Sequence, residues 1–350
     1  MAESLKVGIV GATSDHVWRM AEALGDLPNV ELTTVAEPDA ALRESVKERF
    51  GLPSSYADGA AMYSSEKVDA ILVCGDNAGK ADIVEEAASH GVHVMQDKPM
   101  SATLAQADRI VAAAESANIK VMVAYHNFFS DSYGRTKEWV NDGTIGDVYL
   151  ARAHVGHAGP REIGCSEYFQ GWLFDQEKNG GGTFIDEACY SLSALLDYLG
   201  PITEISAFMN QMGWRDYLPA DVEDNSVAIV RFASGVLGVI DSKWGQIGPL
   251  PHGSSYHGTE GTLLVGRGAL QLYSRKAGLP EGKQGWIDVS TAGGRERPGI
   301  GSEAGYFVDC VVNDKAVEGA VSPRGARATQ EAIEAAYLSA NTGQTVKLPL

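Results

Sequence analysis

The chain has 350 residues, 44% of them apolar and 21% charged, enough to bury a sizeable core without disulfides and too apolar for a largely disordered polymer. Its 28 basic and 46 acidic residues leave a net charge of −18, which repels phosphate backbones and anionic lipid and argues against nucleic acid or a membrane as partner. Four dispersed cysteines lack zinc-ligand spacing, no apolar run reaches about 18 residues, and MAESLK runs straight into VGIV with no leader pattern. The expectation is a cytoplasmic protein with reduced thiols and no bound metal.

Short Val- and Ile-rich runs at Val7–Val10, Val30–Ala36, Val68–Cys74, Val92–Met95 and Ile119–Tyr125 are mostly apolar on successive residues, as strands buried on both faces are. Helical stripes lie between them: Val17, Met20, Ala21 and Leu24; Leu42, Val46 and Phe50; Leu104, Ala107, Val111 and Ala114. This alternation predicts a Rossmann-type, doubly wound parallel sheet over residues 1–125, with ligands beyond the carboxyl ends of its strands.

From residue 126 to 350 the pattern changes to α+β with a large, open, mostly antiparallel sheet. A helix over Ser132–Asp142 is followed by strands at Val148–His154, Ile202–Met209, Ser226–Phe232, Val236–Ser242, Thr262–Val265 and Ala269–Tyr273, several joined by glycine turns. Helical patterns cover Asp186–Leu199 and Ala326–Ala340, and the Gly-, Pro- and charge-rich stretch 275–300 reads as a long loop.

Gly11 directly follows the first strand, where a dinucleotide-binding fold turns tightly into a helix N-terminus. The fingerprint G-x-G-x-x-G is incomplete, with Thr13 and His16 at its second and third glycines. A Cβ at Thr13 obstructs the pyrophosphate and His16 crowds the helix–strand contact, while Thr13 and Ser14 offer hydroxyls to a phosphate. Asp15 would repel a phosphate unless turned away. Glu37 lies 26 residues after Gly11, at the end of the second strand. There an acid accepts from a ribose 2′-hydroxyl and repels a 2′-phosphate, favouring NAD over NADP. Asp76 and Asn77, just past the third run, and His126, past the fifth, complete the candidate cofactor set with Asp97 and Lys98.

Two stretches carry chemistry. Asp97-Lys98-Pro99 ends a buried strand on the ligand side of the sheet, where an ammonium orients a hydroxyl or stabilises an alkoxide and proline permits a cis bond. Gly180-Gly181-Gly182 precedes Asp186 and Tyr190, which at four residues apart share a face of one helix. A carboxylate beside a phenol positions a substrate hydroxyl while the phenol exchanges its proton. His157 and His154 are alternative proton acceptors. Trp172 and Asp175 are candidates for a sugar-stacking face and a hydroxyl acceptor.

With these residues in hand the chain resembles the glucose–fructose oxidoreductase, inositol dehydrogenase and rhizopine-catabolism (Gfo/Idh/MocA) family over nearly its whole length. That family's E-K-P motif stands here as Asp97-Lys98-Pro99, and its G-G-G-x-x-x-D-x-G-x-H motif as Gly180 to Tyr190. Gly143-Thr144-Ile145-Gly146, Gly258-Thr259-Glu260-Gly261-Thr262-Leu263 and Ser339-Ala340-Asn341-Thr342-Gly343 are lesser landmarks. The resemblance implies NAD-dependent hydride transfer with a sugar, glycoside or cyclic polyol carbinol, in a homodimer or homotetramer. It implies Lys98 as the substrate-orienting, proton-relaying lysine and Asp186 as the carboxylate on the substrate. Tyr190 stands where most members place a catalytic histidine, although glucose–fructose oxidoreductase and dihydrodiol dehydrogenase relatives carry tyrosine there, so Tyr190 and His157 both remain candidates for the acid/base. A redox-neutral lyase or epimerase that cycles NAD, and a non-catalytic sugar or NAD sensor, are the alternatives.

Overall fold

Most strands in the N-terminal third form where apolar side chains follow one another without alternation, because both faces of those strands are covered. A computed structural model describes residues 4–250, 252–266, 269–276, 285–290, 297 and 299–350. Along the chain come β1 (Leu5–Val10), α1 (His16–Gly25), β2 (Val30–Ala36), α2 (Ala40–Phe50), β3 (Ser54–Tyr56) and α3 (Gly59–Ser65). Then follow β4 (Ala70–Val73), α4 (Lys80–Ser89), β5 (His93–Asp97), α5 (Leu104–Ala117) and β6 (Val121–Ala124). The six strands form one parallel sheet in the order β3-β2-β1-β4-β5-β6, so the direction of winding reverses between β1 and β4, where a doubly wound sheet opens its ligand crevice. Val17, Met20, Ala21 and Leu24 of α1 are fully buried, each large side chain contributing about 1.5–3 kcal/mol. Helix α5 buries Leu104, Ala107, Ile110 and Ala114, so Ile110 and not Val111 completes the stripe.

Beyond β6 the chain forms α6 (Asp131–Asn141), β7 (Val148–Gly156), α7 (Glu167–Leu173) and α8 (Gln176–Asn179). A π-helical turn over Phe184–Ala188 then runs into α9 (Cys189–Leu199). Strands β8 (Ile202–Asn210), β9 (Asn225–Phe232), β10 (Leu237–Lys243), β11 (Ser254–Gly258), β12 (Gly261–Val265), β13 (Ala269–Ser274) and β14 (Ile287–Ser290) follow. Helices α10 (Glu303–Val312) and α11 (Pro323–Thr342) and the short β15 (Val346–Lys347) end the chain. The nine-stranded sheet has the order β14-β13-β12-β11-β7-β10-β9-β8-β15. Only the β7–β10 pair is parallel among these ladders. Strand β14 pairs with β13 inside the stretch expected to be a long loop, and much of the rest of that stretch lies outside the described residues. No helix among the described residues is long and apolar enough to cross a membrane.

The chain divides into two compact units. The first runs through Ala124 and also takes Gly164–Gly181 and Glu303–Gln330; the second takes Tyr125–Ile163, Gly182–Ser302 and the chain from Glu331. Two segments beyond residue 125 therefore return to the first unit, and their bonds show why. The Ser166 amide donates to Asp15 at 2.7 Å and the Ala78 amide to the Lys178 carbonyl at 2.9 Å, while Arg19 pairs with Glu303 at 2.7 Å.

Candidate active site

In the first unit Gly11 closes β1 in a left-handed conformation (φ +71), and a Cβ there would lie 3.1 Å from the Gly75 Cα. The loops after β1 and β4 thus approach as closely as backbone allows. The Thr13 and Asp15 amides, at the entrance to α1, have no partner among the described residues, the arrangement a helix N-terminus offers to a phosphate. Glu37, 3% exposed, is clamped at the end of β2: its carboxylate accepts from the Ala12 amide at 2.8 Å and the Asp39 amide at 3.0 Å. These residues fit a dinucleotide, with the loop amides on its phosphates and Glu37 on a ribose. Glu37→Ala should therefore weaken NAD binding by about tenfold and narrow the preference over NADP, read by calorimetric titration with each nucleotide.

The loop residues that replace the fingerprint glycines do something unexpected. Ser14 is fully buried and its hydroxyl donates to Asp97 at 2.8 Å, so of the two hydroxyls expected for a phosphate only Thr13 is left uncommitted. His16 does not crowd the helix–strand contact; its Nδ1 sits 2.9 and 3.0 Å from the two Asp97 oxygens. The Asp15 carboxylate is turned away onto the Ser166 amide. Asp97 also accepts from the Lys98 amide at 2.9 Å. Burial pushes the Asp97 carboxyl up, but the charge and hydrogen bond of His16 and the Lys80 and Lys98 cations outweigh it and hold the group below the usual carboxylate range.

Lys98 is 4% exposed and its bond to Pro99 is cis. The turn it occupies is held by Lys80, a fully buried ammonium from the first turn of α4 that the sequence does not single out. It donates to the Asp97 and Pro99 carbonyls and to Asn77 Oδ1, each at 2.8 Å. Asn77, buried, donates in turn to Asn179 Oδ1 at 2.7 Å and to the Asn179 carbonyl at 3.1 Å. Asp76 accepts from the Gly79 amide at 2.8 Å. Asn77 is thereby committed to the protein itself, and Asp76 braces the entry to α4.

Burial lowers the Lys80 ammonium to about 8, against about 10.4 in an unfolded chain. Between those values the unfolded chain binds the extra proton, so the penalty for burying the charge is full below pH 8 and relieved as pH rises through the window. The stability difference between the wild type and Lys80→Met, from urea melts at pH 7 to 10.5, should grow in favour of the wild type with rising pH.

In the second unit the Gly180-Gly182 turn delivers Asp186 on the π-helical turn, not on the α-helix that carries Tyr190. The wider turn inserts a residue and shifts the phase, so Asp186 and Tyr190 do not share one α-helical face. Asp186 is buried and accepts from the Trp244 indole at 3.2 Å, whereas Glu187, which sequence reasoning passed over, lines a cavity with Tyr190. The turn itself is held by Glu223. That buried carboxylate accepts from the Gly182 amide at 2.8 Å, the Phe184 amide at 2.9 Å and the Tyr337 hydroxyl at 2.7 Å.

The cavity, of about 460 Å³, lies within the range that small-molecule sites occupy. His126, Asn127, His157, Glu187, Tyr190 and Gln246 contribute to its polar lining, together with His154. The His126 ring meets Tyr190 edge-on at 4.8 Å. Asn127 donates to the Tyr190 carbonyl and Gln246 to the Gly248 carbonyl, which fixes both amides. Their oxygens are left buried without a partner among the described residues, two acceptors suited to hydroxyl groups.

His157 Nδ1 accepts from the Gly159 amide at 3.0 Å, so its neutral ring carries the proton on Nε2, which faces Glu187 at 3.4 Å. That tautomer presents an N–H donor to Glu187 at the edge of the cavity. The ligand atoms of His157, Asp186 and Glu187 lie within 4.8 Å of one another, but a cation would need the Nε2 lone pair that this tautomer occupies with a proton. His154 Nδ1 is paired with Asp241, its register neighbour on β10. Trp172 is 5% exposed against Phe169, and Asp175 caps α8 through the Glu177 and Lys178 amides. These two are structural where the sequence allowed a sugar-stacking face and a hydroxyl acceptor.

Residues 5–125 match the description of an oxidoreductase family with an NAD-binding Rossmann fold, and residues 133–264 that of the GFO/IDH/MocA C-terminal domain. The chain belongs to the Gfo/Idh/MocA oxidoreductases, and is an NAD-dependent enzyme acting on CH–OH groups. It is 25% identical to a myo-inositol 2-dehydrogenase of Thermotoga maritima over 239 residues, 68% of each chain. It is also 25% identical to a D-apiose dehydrogenase of Paraburkholderia graminis over 343 residues, 95% of this chain and 85% of the relative. Among solved structures, a levoglucosan dehydrogenase in complex with NADH and levoglucosan superimposes with a TM-score of 0.86 at 20% identity, over 99% of this chain and 100% of that one.

Proposed function

We propose that the chain oxidises a secondary carbinol of a sugar, glycoside or cyclic polyol, with Lys98 and Asp186 orienting the substrate and Tyr190 as the acid/base. The observation that carries this reading is the cavity itself: Tyr190 stands beside two orphaned amide oxygens, Asn127 Oδ1 and Gln246 Oε1, whose only missing partners are donors such as hydroxyls. Bound NAD supplies the hydride acceptor. Tyr190, as phenolate, takes the substrate hydroxyl proton, and a cation favours that form of a phenol whose ordinary value is about 10. The Trp244 indole donates to the Asp186 carboxylate at 3.2 Å and fixes it within 4.8 Å of the cavity residues His157 and Glu187. The Gly159-fixed tautomer of His157 turns its one N–H, on Nε2, toward Glu187 and leaves proton uptake to Tyr190.

The test is to mix the protein with NAD and a panel of free sugars, glycosides and inositols and follow absorbance at 340 nm. A rise with one substrate class establishes the dehydrogenase and its carbinol; a flat trace across the panel overturns it in favour of the redox-neutral enzyme or the sensor.

The enzyme acts, in the same reading, as a homodimer or homotetramer through one face of the nine-stranded sheet. Phe208 is 79% exposed and Ile229 52%, and the register sets Phe208 opposite the exposed Val227, an apolar patch that a partner would cover. Phe208→Glu combined with Ile229→Glu should shift sedimentation to a smaller species with the secondary structure unchanged.

A further inference from the structure

The polar cavity has an apolar mouth. Ile163 and Leu250 line it while remaining 55% and 40% exposed. Ile247, next in the chain to the cavity residue Gln246, is 83% exposed, and Trp214, 53% exposed, lies over Gly245, where a built Cβ would come 2.8 Å from its ring. Large apolar side chains scattered singly over a surface mean little, but a group gathered on the loops around one cavity marks a binding surface.

These loops are held in place by polar bonds centred on the buried Arg215 side chain. Arg215, 5% exposed in its side chain, donates to the Ala158 carbonyl, to Glu162 at 2.9 Å and to Asp224 at 3.5 Å, and its guanidinium stacks on Trp214 at 4.1 Å. Glu162 also accepts from the Tyr217 hydroxyl at 2.6 Å. The Gln246 amide donates to the His157 carbonyl at 3.0 Å, and the His157 amide to the Lys243 carbonyl at 3.1 Å. The segments 157–163, 212–217 and 243–250 are thereby tied together, with a charged clamp inside and apolar side chains outside. A rim that is fixed in advance binds without the cost of ordering it.

We infer that the substrate is a glycoside with an apolar aglycone: its hydroxylated ring on the polar floor, its alkyl or aryl group against Ile163, Ile247, Leu250 and Trp214. A free sugar or an inositol, polar over its whole surface, gains nothing from this rim. The inference rests on the proposed dehydrogenase reading for the floor of the cavity and adds the chemistry of the second half of the substrate.

The experiment compares methyl and phenyl glycosides of glucose, galactose and xylose, in both anomers, on the NAD-loaded enzyme. Dissociation constants come from calorimetry and NADH formation from absorbance at 340 nm. For at least one ring the phenyl glycoside should bind about tenfold or more tighter than the methyl glycoside, from the apolar area it buries. In a variant carrying Ile247→Ser and Leu250→Ser that ratio should fall to about two or less, because the phenyl group loses its apolar contacts. Both substitutions fall on exposed side chains, so folding is not at stake. Equal affinity of the two glycosides for every ring, no phenyl-glycoside binding at all, or an unchanged ratio in the variant overturns the inference. So does a change of oligomeric state in the variant, since the rim would then be a subunit contact. Phenyl-selective binding without NADH from any pair would leave the rim assigned and sink the dehydrogenase reading instead.

Discussion

Replacing Lys98 with methionine is expected to slow NADH formation by about 10²–10⁴-fold, the span over which a positioned acid–base group acts, with NAD affinity and the melting temperature close to wild type. Lys98 stands at the carboxyl end of β5, the ligand side of a doubly wound sheet, and is 4% exposed. Methionine keeps the length and apolar stem of the side chain and removes only the ammonium. The backbone amide that bonds Asp97 at 2.9 Å is retained, and so is the Lys80 clamp on the Asp97 and Pro99 carbonyls. Lys98→Arg separates charge from proton transfer, because a guanidinium stays protonated at any working pH. If the lysine relays a proton, the arginine variant should keep KM within a few-fold and lose kcat, with the alkaline limb of the kcat profile displaced. Loss of NAD binding or of folding in Lys98→Met, or a drop in activity under tenfold, would reassign Lys98 to structure.

The parts of the fold that sequence exposed are those where one period dominates. The run Val30–Ala36, apolar or β-branched except at Glu31, coincides with β2 from end to end, and the α1 stripe lands on four buried residues. Strand β3, Ser-Ser-Tyr, has no apolar pattern to read because it is half-buried and short. Strand β11 is hidden for a related reason: of Ser254–Gly258 only Ser255 and Tyr256 are buried, and Ser255 is polar. The π-helical turn escaped because composition does not distinguish one extra residue in a helical turn, yet that residue adds Glu187 to the cavity lining beside Tyr190 and seats Asp186 next to it on the Trp244 indole. At the nucleotide end, counting glycines correctly marked Thr13 and His16 as departures but could not show their use. His16 and Ser14 converge on Asp97 from more than 80 positions away in sequence, a contact that only the parallel order of β1, β4 and β5 creates. Lys80, Glu223, Trp244 and Tyr337 were invisible for the same reason, each being a single polar residue whose partners are remote in sequence. Gln246 lacks even that mark, since its significance lies in an oxygen left without a partner.

Glu223 and Gly182 should give the largest losses of stability. Glu223→Gln is not conservative here, because donors converge on both carboxylate oxygens: the Gly182 amide on Oε2, and the Phe184 amide and Tyr337 hydroxyl on Oε1. An NH₂ group in place of either oxygen confronts an N–H with an N–H, and each buried donor left unmatched costs about 1–3 kcal/mol. A loss of roughly 2–4 kcal/mol is expected in urea unfolding at pH 7. The sign of the pH dependence distinguishes the charge from the bonds. Burial raises the Glu223 carboxyl above its ordinary value although its hydrogen bonds oppose this, so its contribution is complete below the unfolded value of about 4.3 and declines as pH rises through the folded one. The glutamine variant does not titrate, so the gap between the two proteins should narrow with rising pH over that window. Gly182→Ala attacks the same turn from the other side, since its Cβ would sit 2.0 Å from the Glu223 carbonyl oxygen and 2.8 Å from Oε2. Backbone must move, at a cost of about 3 kcal/mol or more. Because both substitutions displace one turn, the double variant should lose less than the sum of the two singles. Strict additivity would mean that Glu223 does not hold the Gly182 turn, and with it the placement of Asp186 would need another explanation.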